Sequence, residues 1–274
     1  MTDSSLRAYK QQILNDFNNR QNYENKFHRK AATRLIALAD LQLGQHVLDV
    51  ATGTGLAAIG AAQLVGSAGR VLGTDLALGM LQQAQQNVEA LGLTNIKFEK
   101  ADADEQELPE SQFDRILCSS AIVYLTDIPT SLRRWHNALK PGGVVAFSCL
   151  AENSPTSSVL FRAVVQKYGI TIPNPNELLG TPEKCCQMLE AIGFEETNVT
   201  TEQFGFYLQD AEVGWMGNAQ SAFGLQNAKW SEAQLQQCKQ EYFAAISKVA
   251  TEDGYWNDIT MFFVTARKSR EAVT

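Results

Sequence analysis

The sequence predicts an α/β fold, a doubly wound parallel sheet of seven strands with helices on both faces and a helical cap built from insertions. Three observations predict it. Short apolar runs alternate with helix-period segments between residues 46 and 150. A glycine-rich turn, Thr52-Gly-Thr-Gly55, directly follows the first of those runs. Acidic residues close the next two runs, at Asp75 and Asp102. Strands alternating with helices pair side by side in a parallel sheet, because each helical crossover returns the chain to the same edge.

The elements follow in order. Residues 1–30 are polar and helix-compatible and read as an N-terminal helical extension, with Tyr9, Phe17, Tyr23, Phe27 and His28 along it. Ala31, Leu35, Leu38 and Leu41 recur at helical spacing until Gly44 ends the pattern. The first strand is His46–Ala51, and after the glycine turn comes a helix of small residues. A second strand at Val71–Asp75, a helix over 78–91 and a third strand at Ile96–Lys100 follow. A fourth strand is expected at Asp114–Ser119, a helix at 127–139, a turn at Lys140-Pro-Gly-Gly, and a fifth strand at Val144–Cys149. Beyond Leu150 the rhythm changes. Residues 152–180 are rich in loops with one helix, and a helix at 182–191 and a strand near Glu195–Tyr207 resume the alternation. Residues 208–256 form a second, mostly helical insertion, and Asp258–Ala266 is the last strand, expected to return antiparallel. The domain reading is thus an N-terminal helical segment (1–43), a core (44–150) and a remainder (151–274) that completes the sheet and carries the cap at 152–180 and 208–256.

Composition sets the outer bounds. The chain has 274 residues, 45% of them hydrophobic and 19% charged, with a net charge of −7. That is an ordinary globular protein, and the acidic balance argues against a nucleic-acid partner. No apolar run reaches the length needed to span a bilayer and the N-terminus has no signal core, so no membrane partner and a cytoplasmic location are expected. Five cysteines without framework spacing are expected to be reduced thiols, with no metal site. Asn198-Val-Thr matches a glycosylation pattern that recurs by chance.

The chemistry concentrates at the carboxyl ends of the strands, the edge where such sheets bind ligands. Gly53 and Gly55 let the backbone turn tightly and approach a ligand without a Cβ in the way. Asp75, roughly 20 residues on, suits both hydroxyls of a ribose. Asp102 can accept from an adenine amine while the Ala103 backbone donates to the ring. Asp49 lies within the first strand, where a carboxylate repels a pyrophosphate but attracts an ammonium, which disfavours a nicotinamide-dependent dehydrogenase.

With these residues in place, the stretch from about 45 to 150 resembles the cofactor core of class I S-adenosylmethionine-dependent methyltransferases. Within that family it is similar to the group of ubiquinone/menaquinone-biosynthesis and small-molecule natural-product enzymes. The matching segments are VLDVATGTG, Thr74-Asp75 with Met80, Ala101-Asp102-Ala103, FDRILCSSAIVYL and LKPGG, in that order. The resemblance implies a Rossmann-like methyltransferase sheet and S-adenosylmethionine as cofactor. It places Gly53 and Gly55 beside the methionine part, Asp49 at the ammonium, Asp75 on the ribose, and Leu76 and Met80 near the adenosine. Asp102 and Ala103 would read the adenine, the backbone at Cys118 and Ser119 would meet the ammonium, and Tyr23 would bond the cofactor carboxylate.

Methyl transfer is an in-line displacement at a sulfonium, so positioning in a dry pocket supplies most of the catalysis. A hydroxyl acceptor needs a base and an amine does not. Among three histidines, His46 reads as structural and His136, beside Arg133 and Arg134, as part of a solvated helix face, whereas His28 is expected to face the acceptor. Tyr124 stands where many relatives carry a histidine and is the second catalytic candidate, although its ordinary pKa near 10 suits it poorly as a base. Aromatic residues of the second insertion, such as Trp215 and Trp256, suit a planar small acceptor. The expected function is methyl transfer to a small organic molecule, first to the oxygen of a phenolic or hydroxylated metabolite. The alternatives are N- or C-methylation, or a cofactor-binding protein without transferase activity.

Overall fold

A computed structural model describes residues 3–20, 23–225 and 230–270. The chain falls into two compact units, one of residues 1–149, 182–200 and 262–274, the other of residues 150–181 and 201–261.

The first unit opens with α1 (Asp3–Asn18) and α2 (Lys26–Leu38). The extension expected over 1–30 thus holds α1 and the start of α2, which runs on into the helix expected from Ala31. α2 starts where it does because the Asn25 side chain accepts from the His28 N–H at 3.0 Å, satisfying one of the orphan donors of the first turn. The alternation then runs β1 (His46–Val50), α3 (Leu56–Val65), β2 (Arg70–Asp75), α4 (Leu78–Leu91), β3 (Ile96–Lys100), β4 (Phe113–Cys118), α5 (Ile128–Ala138) and β5 (Leu139–Leu150). Gly92 ends α4 at φ 65° and donates back to the carbonyls of Val88 and Glu89. Asp127 caps α5 through the Thr130 N–H.

The sheet has seven strands in the order β3-β2-β1-β4-β5-β9-β6, counting α6 (Thr156–Gln166), α7 (Pro182–Ile192), β6 (Phe194–Gln203), β7 (Phe206–Leu208), α8 (Ala211–Ala219), α9 (Glu232–Ser247), β8 (Tyr255–Asn257) and β9 (Thr260–Lys268) along the rest of the chain. β1 pairs parallel with both β2 and β4, so the direction of winding reverses between β1 and β4. That reversal opens a crevice at the carboxyl ends of these two strands. Lys140-Pro-Gly-Gly is not a turn ahead of the fifth strand. β5 already starts at Leu139, opposite Phe113, and residues 140–143 bulge out before the pairing resumes at Val144 with Arg115.

The core of this unit is apolar on both faces of the sheet, with Trp135, Phe147, Leu35, Leu48, Ile116 and Leu132 fully buried. Each contributes roughly 1.5–3 kcal/mol by leaving water. Arg115 is buried too, and it is matched: its guanidinium donates to the carbonyls of Ala39 (2.7 Å) and Asp40 (2.9 Å) at the end of α2, which ties that helix to β4.

The second unit packs α6, α8 and α9 around Phe161, Trp215 and Tyr242, whose rings meet at 5.3–6.0 Å. The strand expected over 195–207 is two elements. β6 stops at Gln203, and Phe206–Leu208 pairs antiparallel with β8 in a separate two-stranded sheet. Gly205 sits at the break, where a Cβ would stand 2.6 Å from the Trp256 ring. The expected second insertion ends in a strand, β8, and its residues 226–229 lie outside the described residues. Among the described residues no helix is long and apolar enough to cross a membrane, and no cluster of potential metal ligands is present.

Candidate cofactor cleft

The chain leaves β1 through Ala51, a non-glycine residue at φ 52°, followed by Gly53 at φ 56° and Gly55 at φ 86°. Left-handed backbone at an alanine costs roughly 1–2 kcal/mol, and it is held here by the surrounding bonds. The Thr52 N–H donates to the Thr74 carbonyl at 2.9 Å, and the Gly55 N–H closes on the Thr52 carbonyl at 2.9 Å. The two glycines serve different ends. A Cβ on Gly53 would meet only the Tyr23 ring, at 3.8 Å, and Gly53 lines the cleft. A Cβ on Gly55 would press on Phe98, Ala84 and Ile59 at 3.2–3.3 Å, so Gly55 is required by packing behind the turn.

Asp75 ends β2 with both carboxylate oxygens engaged: Oδ1 accepts from the Ala77 N–H and Oδ2 from the Gly53 N–H, each at 2.8 Å. The glycine turn and the second strand are thereby locked together. Burial pushes the Asp75 carboxyl up, against the pull of those amides. Asp49 is 1% exposed, and its Oδ2 accepts from the Thr52 hydroxyl at 2.6 Å. Its Oδ1 has no hydrogen-bond partner, and burial drives the carboxyl up to about 7 against the pull of the Thr52 hydroxyl and the Ala58 amide. The Thr54 hydroxyl, 2% exposed, is likewise unpartnered, as is Nδ1 of His28.

At the end of β3, Asp102 accepts from the Asp104 N–H at 3.0 Å and from Lys10 of α1 at 2.7 Å. Asp104 in turn accepts from the Thr126 backbone at 3.0 Å and its hydroxyl at 2.7 Å, pinning the loop after β3 to the loop after β4. That second loop carries another left-handed residue, Ser120 at φ 56°, whose N–H donates to the Ser148 hydroxyl at 2.8 Å.

Two cavities result. The larger, of about 730 Å³, is lined by Gly53, Asp75, Leu76, Asp102, Ala103, Tyr23 and Tyr124, with Lys10, Ile13 and Phe17 of α1 and Ser120 and Ala121 after β4. The smaller, of about 360 Å³, lies around Asp49, Thr54, His28 and Ser119 and shares Tyr23, Gly53 and Ser120 with the first. Tyr23 stacks on His28 with ring centres 4.2 Å apart, and Phe17 stands edge-on to Tyr124 at 5.3 Å. Burial lowers the His28 pKa and raises those of Tyr23 and Tyr124.

Of the residues singled out in the sequence, the structure gathers Tyr23, His28, Asp49, Gly53, Asp75, Leu76, Asp102, Ala103, Ser119 and Tyr124 around these two spaces. It does not bring Met80, Gly55 or Cys118 to either: Met80 and Cys118 are fully buried in the core. His28 lines the smaller cavity, not the larger one. Sequence reading missed Lys10, Ile13 and Phe17, although their spacing of three and four places them on one helix face. It also missed Thr52 and Thr54, and Ser120, whose left-handed backbone has no residue signature.

Residues 47–143 match the model of a methyltransferase domain family. The chain is 32% identical over 152 residues to aklanonic acid methyltransferase DauC of Streptomyces sp. (strain C5), spanning 54% of this chain and 68% of that one. It is 35% identical over 140 residues to the ubiquinone/menaquinone biosynthesis C-methyltransferase UbiE of Pseudoalteromonas translucida, spanning 50% of this chain and 54% of that one. Among solved structures, the YcgJ protein from Bacillus subtilis shares the fold, with a TM-score of 0.62, 15% identity, and coverage of 89% of this chain and 100% of that one. The chain belongs to the class I S-adenosylmethionine-dependent methyltransferases, and S-adenosylmethionine is its cofactor.

Proposed function

We propose that the two connected cavities hold S-adenosylmethionine end to end, nucleoside in the larger and amino-acid group in the smaller, for methylation of a small organic acceptor. One observation carries this reading: the unpartnered, buried oxygens Asp49 Oδ1 and Thr54 Oγ1 behind the Gly53 turn. A buried carboxyl that is half satisfied calls for a cation, and an α-ammonium fits. His28 lines the same space and its buried Nδ1 is unpartnered, so we assign His28 to the amino-acid end of the cofactor, with Tyr23, instead of to the acceptor. Asp75 holds two amides and still has lone pairs free to accept ribose hydroxyls, because an ionised carboxylate offers about four acceptor sites. Leu76, Asp102 and Ala103 line the larger cavity, and we assign Asp102 to accept the adenine amine.

When bound, the cofactor supplies an electrophilic methyl on a positively charged sulfur, open to in-line displacement. The chain's own contribution is orientation and exclusion of water by Phe17, Tyr23 and Tyr124. Burial keeps the phenols of Tyr23 and Tyr124 protonated at neutral pH, so neither serves as the base. A hydroxyl acceptor therefore arrives acidic or already ionised. O-methylation of a phenolic or hydroxylated metabolite fits that requirement. Methylation of carbon on an electron-rich ring fits it as well, and is favoured by the relative whose name describes a C-methyltransferase.

The test is incubation of the protein with S-adenosylmethionine and a panel of phenols, hydroxyquinones and amines, reading acceptor mass and S-adenosylhomocysteine together. The proposal expects one methyl gained on a hydroxylated aromatic. Gain on amines alone contradicts the acceptor class, and rearrangement without mass gain contradicts transfer itself.

A further inference from the structure

α1 presents one face to the larger cavity, through Lys10, Ile13 and Phe17, and turns Ser5, Arg7, Gln11 and Asn15 outward. Its C-terminal end is fixed: the Gly79 N–H of α4 donates to the Asn18 side chain at 2.9 Å, and a Cβ on Gly79 would stand 2.5 Å from the Asn18 carbonyl. Just beyond the helix, the Gln83 side chain donates to the Arg20 carbonyl at 3.1 Å. Further up, its charged contact is Lys10, whose ammonium lies 2.7 Å from Asp102, 3.0 Å from Glu105 and 3.6 Å from Asp104. Lys10 and Asp102 are both largely buried, with side chains 16% and 20% exposed. One cation thus closes the helix over three carboxylates on the loop that follows β3.

We infer that α1 is a lid over the nucleoside end of the cleft and that Lys10 is its latch, controlling how fast cofactor and product leave. The inference rests on the reading that this cleft holds the adenosine. Opening α1 about its Asn18–Gly79 anchor removes the only cation these carboxylates share within the described residues. Asp102, Asp104 and Glu105 are then left facing one another, and closure restores the pairing. Asp102 binds the latch through Oδ2, and its Oδ1 takes the Asp104 N–H, so the same pair also fixes the carboxylate that is to meet the adenine amine. Lys10 acts through Asp102 and through the helix, which makes it a positioning residue.

The latch is ionic and its outer partner Glu105 is 74% exposed, so its strength falls with salt, whereas the apolar contacts of Ile13 and Phe17 do not weaken. The experiment loads the protein with tritiated S-adenosylmethionine and chases it with excess S-adenosylhomocysteine. It is run at ionic strengths of about 0.03 M and about 0.5 M, on wild type, Lys10→Met, Lys10→Arg and Glu105→Gln. The expected result is release from Lys10→Met about ten-fold faster than wild type at low salt, the equivalent of about 1.4 kcal/mol. Its rate should be nearly independent of salt, with Lys10→Arg close to wild type and Glu105→Gln shifted a few-fold in the same direction. Melting temperatures of all four are read alongside, since a merely structural lysine would lower stability without changing the salt dependence of release. Wild-type and Lys10→Met release rates within two-fold of each other, or with the same salt dependence, overturn the latch while leaving the cleft assignment intact. A folded wild type that retains no label overturns both.

Discussion

The sheet carries a groove at each edge. At the amino ends of the strands a space of about 1040 Å³ runs past His46, Arg70, Asn95 and Gln112, and at the carboxyl ends the cleft is about 730 Å³. The larger groove is the quieter. Asn95 spends its amide on the carbonyls of Ala62 and Gly66 at 2.8 and 2.9 Å, closing the end of α3. Beside it, Asp114 takes the His46 N–H and Lys140 at 2.8 and 2.7 Å. Among the described residues, no side chain lining that groove has an unpartnered buried polar atom. The carboxyl edge has three, on His28, Asp49 and Thr54. Size does not mark the site here; the gathering of three orphan polar atoms around one space does, because buried orphan groups cluster where a ligand or a mechanism uses them.

The sharpest way to break this comparison is to fill the carboxyl edge. Gly53→Val puts a β-branched side chain at φ 56° against both cavities. Titration calorimetry should show S-adenosylhomocysteine binding weakened more than about a hundred-fold, or roughly 2.7 kcal/mol or more.

Asp49→Asn tests the buried carboxyl. An ammonium binds the ionised form, and burial holds the free carboxyl near 7, so wild-type affinity should fall as pH drops below about 7. The Asn variant should bind about ten-fold more weakly at pH 8 and lose that pH slope. Stability should move the other way. The folded pKa lies above the unfolded value of 3.8, so the folded protein holds the extra proton between the two. Unliganded wild type must therefore lose stability as pH rises from about 4 to about 7, by an amount on the order of a few kcal/mol. Thermal denaturation across that range should show the decline in wild type and its absence in Asp49→Asn.

At the opposite edge, Asn95→Ala should cost about 1–2 kcal/mol in a denaturant melt by orphaning two helix-end carbonyls, with cofactor affinity unchanged within two-fold. The smallest effect is expected at Tyr124→Phe. Its phenol stays protonated, so kcat on a hydroxylated acceptor should change by less than about three-fold, and a hundred-fold loss would restore Tyr124 as the base.

The contrast also explains what was legible in the sequence. β1, α4 and β3 could be placed closely, because strand runs and helix periods are local signals, and the acids at 75 and 102 could be placed at one edge by strand order alone. Gly53 and Gly55 look alike in sequence, yet one lines a cavity and the other fits under Phe98; only packing separates them. Met80 reads as a cofactor contact but its helix turns it into the core. Lys10 lies 92 residues from the Asp102 it pairs with, and nothing local announces such a contact. The break at Gly205 was hidden for a similar reason, since Phe206–Leu208 leaves the main sheet to pair with a strand about fifty residues later.

The most direct measurement is calorimetric titration of wild type and Asp75→Ala with S-adenosylmethionine and S-adenosylhomocysteine, each protein first shown to be folded. Asp75 is the carboxylate on which the glycine turn and the second strand converge. Micromolar binding of both ligands to wild type, lost by about a hundred-fold or more in the variant, is the predicted result. Equal affinity in the two proteins would contradict the placement of the cofactor at this edge of the sheet.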